Sequence, residues 1–331
     1  MPSTSLFLST LFLGTSVSLS ASNWLYVWLG LELNLMSFVP LLTASPQSRS
    51  SEAAMIYFLA QALGSGLLLL GSLSIFLSPQ LFLPSYFHHT LIFLGLLTKL
   101  GLPPCHFWFP TVMSQISWPL CLLLTTWQKL TPLAILFYIL PPSNTLMFIL
   151  TIILGSLISA LGGLNQTQLR PLLAYSSIGH MTWMLVAANN STSTSLLYLL
   201  IYILTTLPLI LLLWSSYSYS NLSSSNMTSL SPSYTPSIFI LILSLGGLPP
   251  FLGFFPKWLV VESLAPTFTF LILVTLLGSL MNLYYYMNLV FINILTPSKF
   301  PMIQTSSPLP TFSTLTILTT LTLGLAPAIM L

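Results

Sequence analysis

LLYLLIYILTTLPLILLLW, residues 196–214, carries no charge, and its apolar side chains fall on every face instead of on alternate positions. A β-strand crossing a bilayer would alternate polar and apolar residues over about ten positions, whereas an all-round apolar run of about 20 residues has the length and character of a spanning α-helix. LLLLGSLSIFL at 67–77 reads the same way. Working outward from these two runs, apolar stretches bounded by Pro, Gly and Ser clusters predict helices near 3–20, 24–43, 53–77, 87–109, 118–139, 144–163, 171–188, 194–215, 237–260, 267–295 and 310–330. The fold class expected is an all-α polytopic membrane protein with about 11 transmembrane helices.

Composition agrees. Of 331 residues only six are Lys or Arg and three Asp or Glu, and 55% are hydrophobic. Charged residues amount to 3%, where a soluble domain carries roughly 25%, so a water-soluble fold is excluded. Eleven spans consume roughly 220 residues, leaving about nine for each loop or tail. Connections that short hold no separate nucleotide-binding or Fe–S domain, so redox cofactors belong on other chains. The longest polar stretch, 215–234, is uncharged and low in complexity, and reads as a surface connection. The six bases are dispersed, which gives nucleic acid no patch to bind. Cys105 and Cys121 lack metal-ligand spacing and read as packing residues. The N-terminus has neither a basic n-region nor an Arg-rich amphipathic stretch, and so resembles neither a signal peptide nor a transit peptide.

Two segments repeat. Gly101-Leu102-Pro103-Pro104, followed after four residues by Phe109-Pro110, is matched 146 residues later by Gly247-Leu248-Pro249-Pro250 and Phe255-Pro256. Both copies lie inside long apolar segments, where Pro removes a backbone donor and Gly adds freedom, so each helix is expected to break within the membrane. Pro141-Pro142 lacks the flanking Gly and Phe-Pro and reads as a turn. The broken spans are the fourth and ninth, five apart, so the second crosses in the opposite direction. The expectation is two inverted five-helix repeats, 1–142 and 143–297, with one C-terminal helix in 298–331, all in a single membrane domain. Paired Gly/Pro-interrupted helices point to ion or substrate pathways, because unwound backbone in lipid is tolerated only beside protein or water.

The intramembrane charges point the same way. Glu32, Lys99 and Lys129 fall near the middle of the second, fourth and fifth spans, and Lys257 follows the second break. A charge at a helix centre costs about 2.5–3.5 kcal/mol on insertion scales, so these groups require partners or a wet cavity. A buried ion pair that only fixes packing is one reading, although Glu32 can satisfy only one of the lysines. The other is a switchable proton site, since a lysine holds its proton less tightly when buried and more tightly beside a carboxylate. For Lys257 the side chain is also long enough to snorkel to an interface, and Glu262 reads as an interfacial loop residue. His88 and His89 read as interfacial. His106 divides evenly between packing and proton relay, and His180 reads as a relay because imidazole titrates near neutral pH. Arg49, Arg170 and Lys299 fall in even-numbered loops, and the positive-inside rule places those loops and the N-terminus on the side of synthesis.

These residues carry a resemblance. WLGLELNLMSFVPLL at 28–42, EAAMIYFLAQA at 52–62, LLTKLGLPPCHFWFP at 96–110, LLLTTWQKLTPLAIL at 122–136, GGLNQTQLRPLLAYSSIGHMTWM at 162–184 and LSLGGLPPFLGFFPKW at 243–258 resemble animal mitochondrial members of the antiporter-like subunit family of respiratory complex I. The resemblance runs from the first span to at least the tenth. It implies a membrane-arm subunit that helps couple electron transfer from NADH to ubiquinone to proton pumping. In that family the glutamate of the second span pairs with the lysine of the broken helix, here Glu32 with Lys99. Lys129 would sit on the central hydrophilic axis and Lys257 toward the output side. The resemblance further implies neighbouring antiporter-like subunits as partners, with NADH, FMN, Fe–S clusters and ubiquinone bound on other subunits, no cofactor or metal on this chain, and a place in the mitochondrial inner membrane with the N-terminus in the matrix. The tenth span, LLGSLMNLYYYMNLVF, lacks the ionisable residue that some relatives carry.

Two other classes fit the same residues. A stand-alone cation/proton antiporter would use the same charged, broken helices, and would differ by exchanging ions when reconstituted alone. A structural spacer would transmit conformational change without passing protons, and would keep pumping after Lys99 or Glu32 is neutralised.

Overall fold

The computed structural model describes residues 2–44, 48–81, 85–139, 146–219, 235–264 and 269–295, and every element among them is helical. The helices are α1 (Pro2–Ser20), α2 (Trp24–Thr43), α3 (Ser48–Leu81), α4 (Ser85–Leu100), α5 (Trp108–Gln115), α6 (Trp118–Thr125), α7 (Trp127–Ile139), α8 (Leu146–Leu164), α9 (Leu169–Ala188), α10 (Thr192–Tyr219), α11 (Thr235–Gly246), α12 (Phe254–Leu264) and α13 (Thr269–Leu295). Among the described residues, six spans are long and apolar enough to cross a membrane: Trp24–Thr43, Ser48–Ile75, Trp118–Ile139, Leu146–Leu164, Thr192–Ser215 and Thr269–Ile292. The helix expected at 310–330, Lys299, the Pro141-Pro142 turn and most of the 215–234 connection lie outside the described residues, while α10 continues through Ser215 to Tyr219.

The fourth expected span is α4 and α5 in succession, and the ninth is α11 and α12. Both interruptions are built alike. At the first, the amide of Leu102 donates to the carbonyl of Leu97 at 3.0 Å and that of Gly101 to Thr98 at 3.3 Å. At the second, Leu248 donates to Leu243 at 3.5 Å and Gly247 to Ser244 at 3.0 Å. These paired bonds are the Schellman C-cap, which needs a left-handed residue one position past the helix. Gly101 and Gly247 supply it, with φ of 71° and 81°. The Pro103-Pro104 and Pro249-Pro250 bonds that follow are both cis. Proline cannot donate to a helical ladder, so the chain leaves each half-helix and re-enters helix only at Trp108 and at Phe254.

The sequence reading did not separate α6 from α7. The single irregular residue between them is Thr126, whose hydroxyl donates to the Leu122 carbonyl at 2.6 Å. Six residues on, Pro132 cannot donate to the carbonyl of Gln128. A threonine bonded back to the preceding turn and an internal proline both loosen a helix, and Lys129 sits between them.

The chain divides into two compact units, Met1–Gly155 and Ser156–Leu331. In the first, α3 packs on α2, α4 and α5, while α7 touches α1, α2 and α4. The α3–α4 crossing is close because Gly64 and Gly95 face each other. A Cβ on Gly95 would come within 2.9 Å of the Gly64 carbonyl oxygen. Small residues at such a crossing let backbones approach where lipid gives no hydrophobic drive for helix association. In the second unit α9 is central, every residue of Leu169–Ala188 being buried except Arg170 and Tyr175. It packs against α10, α12 and α13. A helix surrounded on all sides places whatever polar group it carries deep in protein. For α9 that group is His180.

Several expectations need correction. Arg49 and Arg170 are the second residues of α3 and α9 and not loop residues, because both helices start earlier than the apolar runs suggest. Glu262 is exposed but helical, within α12. His88 is buried, at 4% exposure, whereas His89 is exposed as expected. Cys121 is buried, but Cys105 is exposed because it lies in the connection between α4 and α5 and not on a helix face.

Candidate functional site: a polar cavity at the first helix break and a histidine cavity at the second

Lys99 is the last residue but one of α4, in the last turn, where the helix dipole favours a positive charge. Two donors from outside the helix satisfy carbonyls of that turn. Gln61 of α3 donates through Nε2 to the Lys99 carbonyl at 3.2 Å, and Trp108 at the start of α5 donates through Nε1 to Thr98 at 3.0 Å. The Gly64–Gly95 crossing brings Gln61 this close, one turn away on each helix. Beyond the break, Phe109 packs on Gly101, and the Lys129 ammonium lies 4.6 Å from the centre of its ring. A desolvated contact of this kind contributes about 2 kcal/mol.

Lys99 and Lys129 line one cavity. Its volume is about 20 Å³, and since a single water needs about 10–15 Å³ on this measure, it accommodates one or two. Its polar wall comes from Asn34 of α2, Tyr57 and Gln61 of α3, and Gln128 of α7. Gln128 donates through Nε2 to Asn34 Oδ1 at 2.9 Å, and the Tyr57 hydroxyl approaches Gln128 Oε1 at 3.5 Å. Glu32, two residues before Asn34, is half-buried and does not line the cavity. Its charge acts through space on Lys99 and Tyr57. Among the described residues no direct ion pair joins Glu32 to Lys99, and Glu32 Oε2 is buried without a hydrogen-bond partner.

The second unit has its own arrangement. Lys257, the fourth residue of α12, turns back across the break and donates through Nζ to the carbonyl of Gly246, the last residue of α11, at 2.8 Å. Each break therefore has a lysine beside it, Lys99 before the first and Lys257 after the second; the position of α11 equivalent to Lys99 is Leu245. His180 Nδ1 lies 3.0 Å from the Tyr198 hydroxyl of α10. A cavity of about 10 Å³, room for a single water, is lined by His180, Tyr198, Tyr202 and Thr205 on one side and by Leu245, Gly253 and Pro256 of the second break on the other. His180 thus faces the break that Lys257 caps. His106 is buried between α4 and α5 with its ring stacked on Phe107 at 4.0 Å, apart from both cavities. Among the described residues no three His, Cys, Asp or Glu side chains approach closely enough to hold a metal ion.

The lysines and His180 were visible in the sequence; their polar neighbours were passed over. Asn34, Gln61, Gln128 and Tyr198 each stand as isolated polar residues in apolar spans, the signal that marks an intramembrane site. Asn282, Tyr285 and Tyr286 of α13 are likewise buried; the two tyrosine hydroxyls lie beside Ser176 of α9 without a well-formed hydrogen bond, and the Asn282 side chain lies beside Gly179. The tenth expected span, without an ionisable residue, still presents polar groups to the core.

A family model described as NADH:quinone oxidoreductase/Mrp antiporter, TM, matches residues 21–282. The chain belongs to this family. The matched region takes in both breaks and all of Glu32, Lys99, Lys129, His180 and Lys257. Curated relatives in the NADH:quinone oxidoreductase/Mrp antiporter family include NADH-ubiquinone oxidoreductase chain 2 of Lumbricus terrestris, 38% identical over 100% of this chain and 98% of that one. The chain 2 protein of Oryctolagus cuniculus is 40% identical over 97% of this chain and 96% of its own length. Among solved structures, a chain of respiratory complex I from Thermus thermophilus with bound Aureothin has a TM-score of 0.84 at 25% identity, covering 98% of this chain and 78% of that one.

Proposed function

We propose that this chain is a proton-translocating, antiporter-like subunit of the membrane arm of respiratory complex I, seated in the mitochondrial inner membrane. The observation that carries the proposal is that Lys99 and Lys129, from helices separated in sequence, line one polar cavity sized for one or two waters. Lysine ammonium groups this deep in an apolar chain are costly, and where such groups face a polar, water-sized space they mark a proton or ion pathway. Transfer along it is simple: an ammonium gives a proton to a water, the water gives one to the next amine, and only N–H and O–H bonds change. Glu32 biases the first lysine by its charge. In the second unit, Lys257 and His180 flank the second break as the corresponding stations.

Finer parts of the reading rest on sequence and shared break geometry. The equivalent caps at Gly101 and Gly247 support two inverted five-helix repeats, 1–142 and 143–297. Arg49 and Arg170 at helix starts support an N-terminus on the matrix side. The chain has no redox centre of its own; NADH, FMN, Fe–S clusters and ubiquinone belong to other subunits. Its partners are other membrane-arm subunits, neighbouring antiporter-like subunits among them, and lipid.

The test is Lys129→Met in the assembled complex, with proton uptake and NADH-to-quinone electron transfer measured in sealed vesicles. The expected result is normal assembly with proton pumping reduced at least tenfold. Pumping at the unsubstituted rate would overturn the proposal. Cation/proton exchange by the chain reconstituted alone would replace it with the stand-alone antiporter.

A further inference from the structure

Gln128 is not one of the charged residues that drew attention in the sequence, yet it lines the polar cavity beside both lysines. Its side chain is held from two helices, by Asn34 of α2 at 2.9 Å and by Tyr57 of α3 at 3.5 Å. It precedes Lys129, and both line the cavity, as does Pro132. Because Pro132 has no N–H, it leaves the Gln128 backbone carbonyl without the donor that an ordinary helix would supply four residues on. One residue therefore brings an anchored amide to the cavity that Lys99 and Lys129 line, and its carbonyl lacks the usual helical donor.

We propose that Gln128 is a positioning residue that holds the bridging water between Lys99 and Lys129. This rests on the proton-relay reading above and names a part of it. An amide suits the task because it accepts and donates hydrogen bonds and yet has no proton to gain or lose near neutral pH. A carboxylate at the same place would pair with one ammonium and hold the proton there. Asn34 fixes which end of the amide is which: Nε2 is committed to Asn34 Oδ1, so Oε1 remains an acceptor, directed toward Tyr57 and available to a water in the cavity. The water then meets an acceptor in Gln128, a donor in the lysine that carries the proton and an acceptor in the lysine that is a neutral amine, within the two to four polar partners that a stable buried water requires. Transfer proceeds by one N–H bond breaking at the donor lysine as one O–H forms on the water, and an opposite O–H breaking as one N–H forms on the acceptor amine.

The experiment uses the assembled complex in sealed inner-membrane vesicles, with Gln128→Met, which keeps length and removes hydrogen bonding, and Asn34→Leu, which removes the anchor. Three quantities are read: assembly, proton uptake per electron transferred, and water density in the cavity of the cryo-electron-microscopy map. For Gln128→Met the expected result is normal assembly, at least a tenfold loss in pumping rate and loss of the water density between Lys99 and Lys129. Asn34→Leu is expected to move both readouts the same way by a smaller factor. A mere packing role would lower assembly and leave pumping per assembled complex unchanged, which overturns the proposal; retained water density with unchanged pumping does so too. Should Gln128→Met fail to assemble, Asn34→Leu decides on the same criteria. Lys129→Met run alongside keeps the two failures apart: unchanged pumping there removes the relay itself, whereas loss there with unchanged pumping in Gln128→Met removes only the role of Gln128.

Discussion

The ammonium of Lys257 caps the carbonyl of Gly246 at 2.8 Å, so the side chain that follows the second break closes the helix that precedes it. In a buried site this bond is charge-assisted and among the stronger kinds available. It makes the local geometry of the break depend on a single side chain.

Lys257→Met should therefore loosen the end of α11. Leaving the carbonyl without its donor costs about 1–3 kcal/mol, equivalent to about a 5- to 150-fold rise in local opening. Hydrogen exchange read by mass spectrometry on a peptide spanning Gly247 and Leu248 reports this. Exchange equal to that of the unsubstituted chain would show that the cap holds without the lysine.

The glycines at the two breaks should respond differently to alanine. Both hold positive φ, where a Cβ costs about 1–2 kcal/mol. At Gly247 the added Cβ would also meet Lys257 Nζ at 2.8 Å, and at Gly101 it would meet the Cβ of Phe109 at 2.9 Å. Lysine is long and can yield, at the expense of its cap; Phe109 is wedged in the core beneath Lys129. Gly101→Ala is expected to lower the amount of assembled chain on native gels more than Gly247→Ala, while Gly247→Ala lowers pumping per assembled complex. Equal loss of assembly would contradict this.

At the α3–α4 crossing, Gly95→Leu forces backbone against backbone, because its Cβ would lie 2.9 Å from the Gly64 carbonyl and 3.0 Å from the Leu68 nitrogen. No rotamer relieves that contact. The helices must separate, Gln61 must leave the Lys99 carbonyl, and the chain is expected to be absent from the assembled complex on blue-native gels. Normal assembly would mean that the crossing tolerates a wider spacing.

Tyr198→Phe removes the hydroxyl 3.0 Å from His180 Nδ1. The expected loss of stability is about 1 kcal/mol, whereas His180→Phe removes the titrating group and should reduce pumping far more than Tyr198→Phe does. Identical pumping in the two variants would take His180 out of the pathway.

Pro132→Ala restores a donor to the Gln128 carbonyl and should regularise α7. An internal proline costs about 3 kcal/mol in an ordinary helix, so thermal stability is expected to rise, by less than that because the surroundings are already fitted to the bend. Pumping should fall as the turn that carries Gln128 and Lys129 is straightened. A stabilised variant with full pumping would show that the irregularity at Lys129 has no part in transport.

What the sequence disclosed follows the strength of each local signal. Gly-Leu-Pro-Pro in an apolar run forces a break whatever surrounds it, so both breaks could be placed to within a few residues. Lys99 and Lys129 stood out because the cost of a charge in lipid is large. Yet reading them as mid-span residues missed that Lys99 ends a half-helix and that Lys129 follows an irregular turn, since Thr126 and Pro132 each perturb a helix only modestly and act together. The roles of Gln128, Asn34 and Gln61 depend on α2, α3 and α7 meeting, and no single segment encodes that meeting. His88 shows the reverse error: a position near a span end suggested water, but its side chain turned inward.

The modest size of the chamber between Lys99 and Lys129 also bears on ionic discrimination. A space for one or two waters has no room for a sodium ion together with its hydration shell. On the proposed relay a hydrogen ion needs no such room, because it moves by exchange of bonds and requires no vacancy of its own.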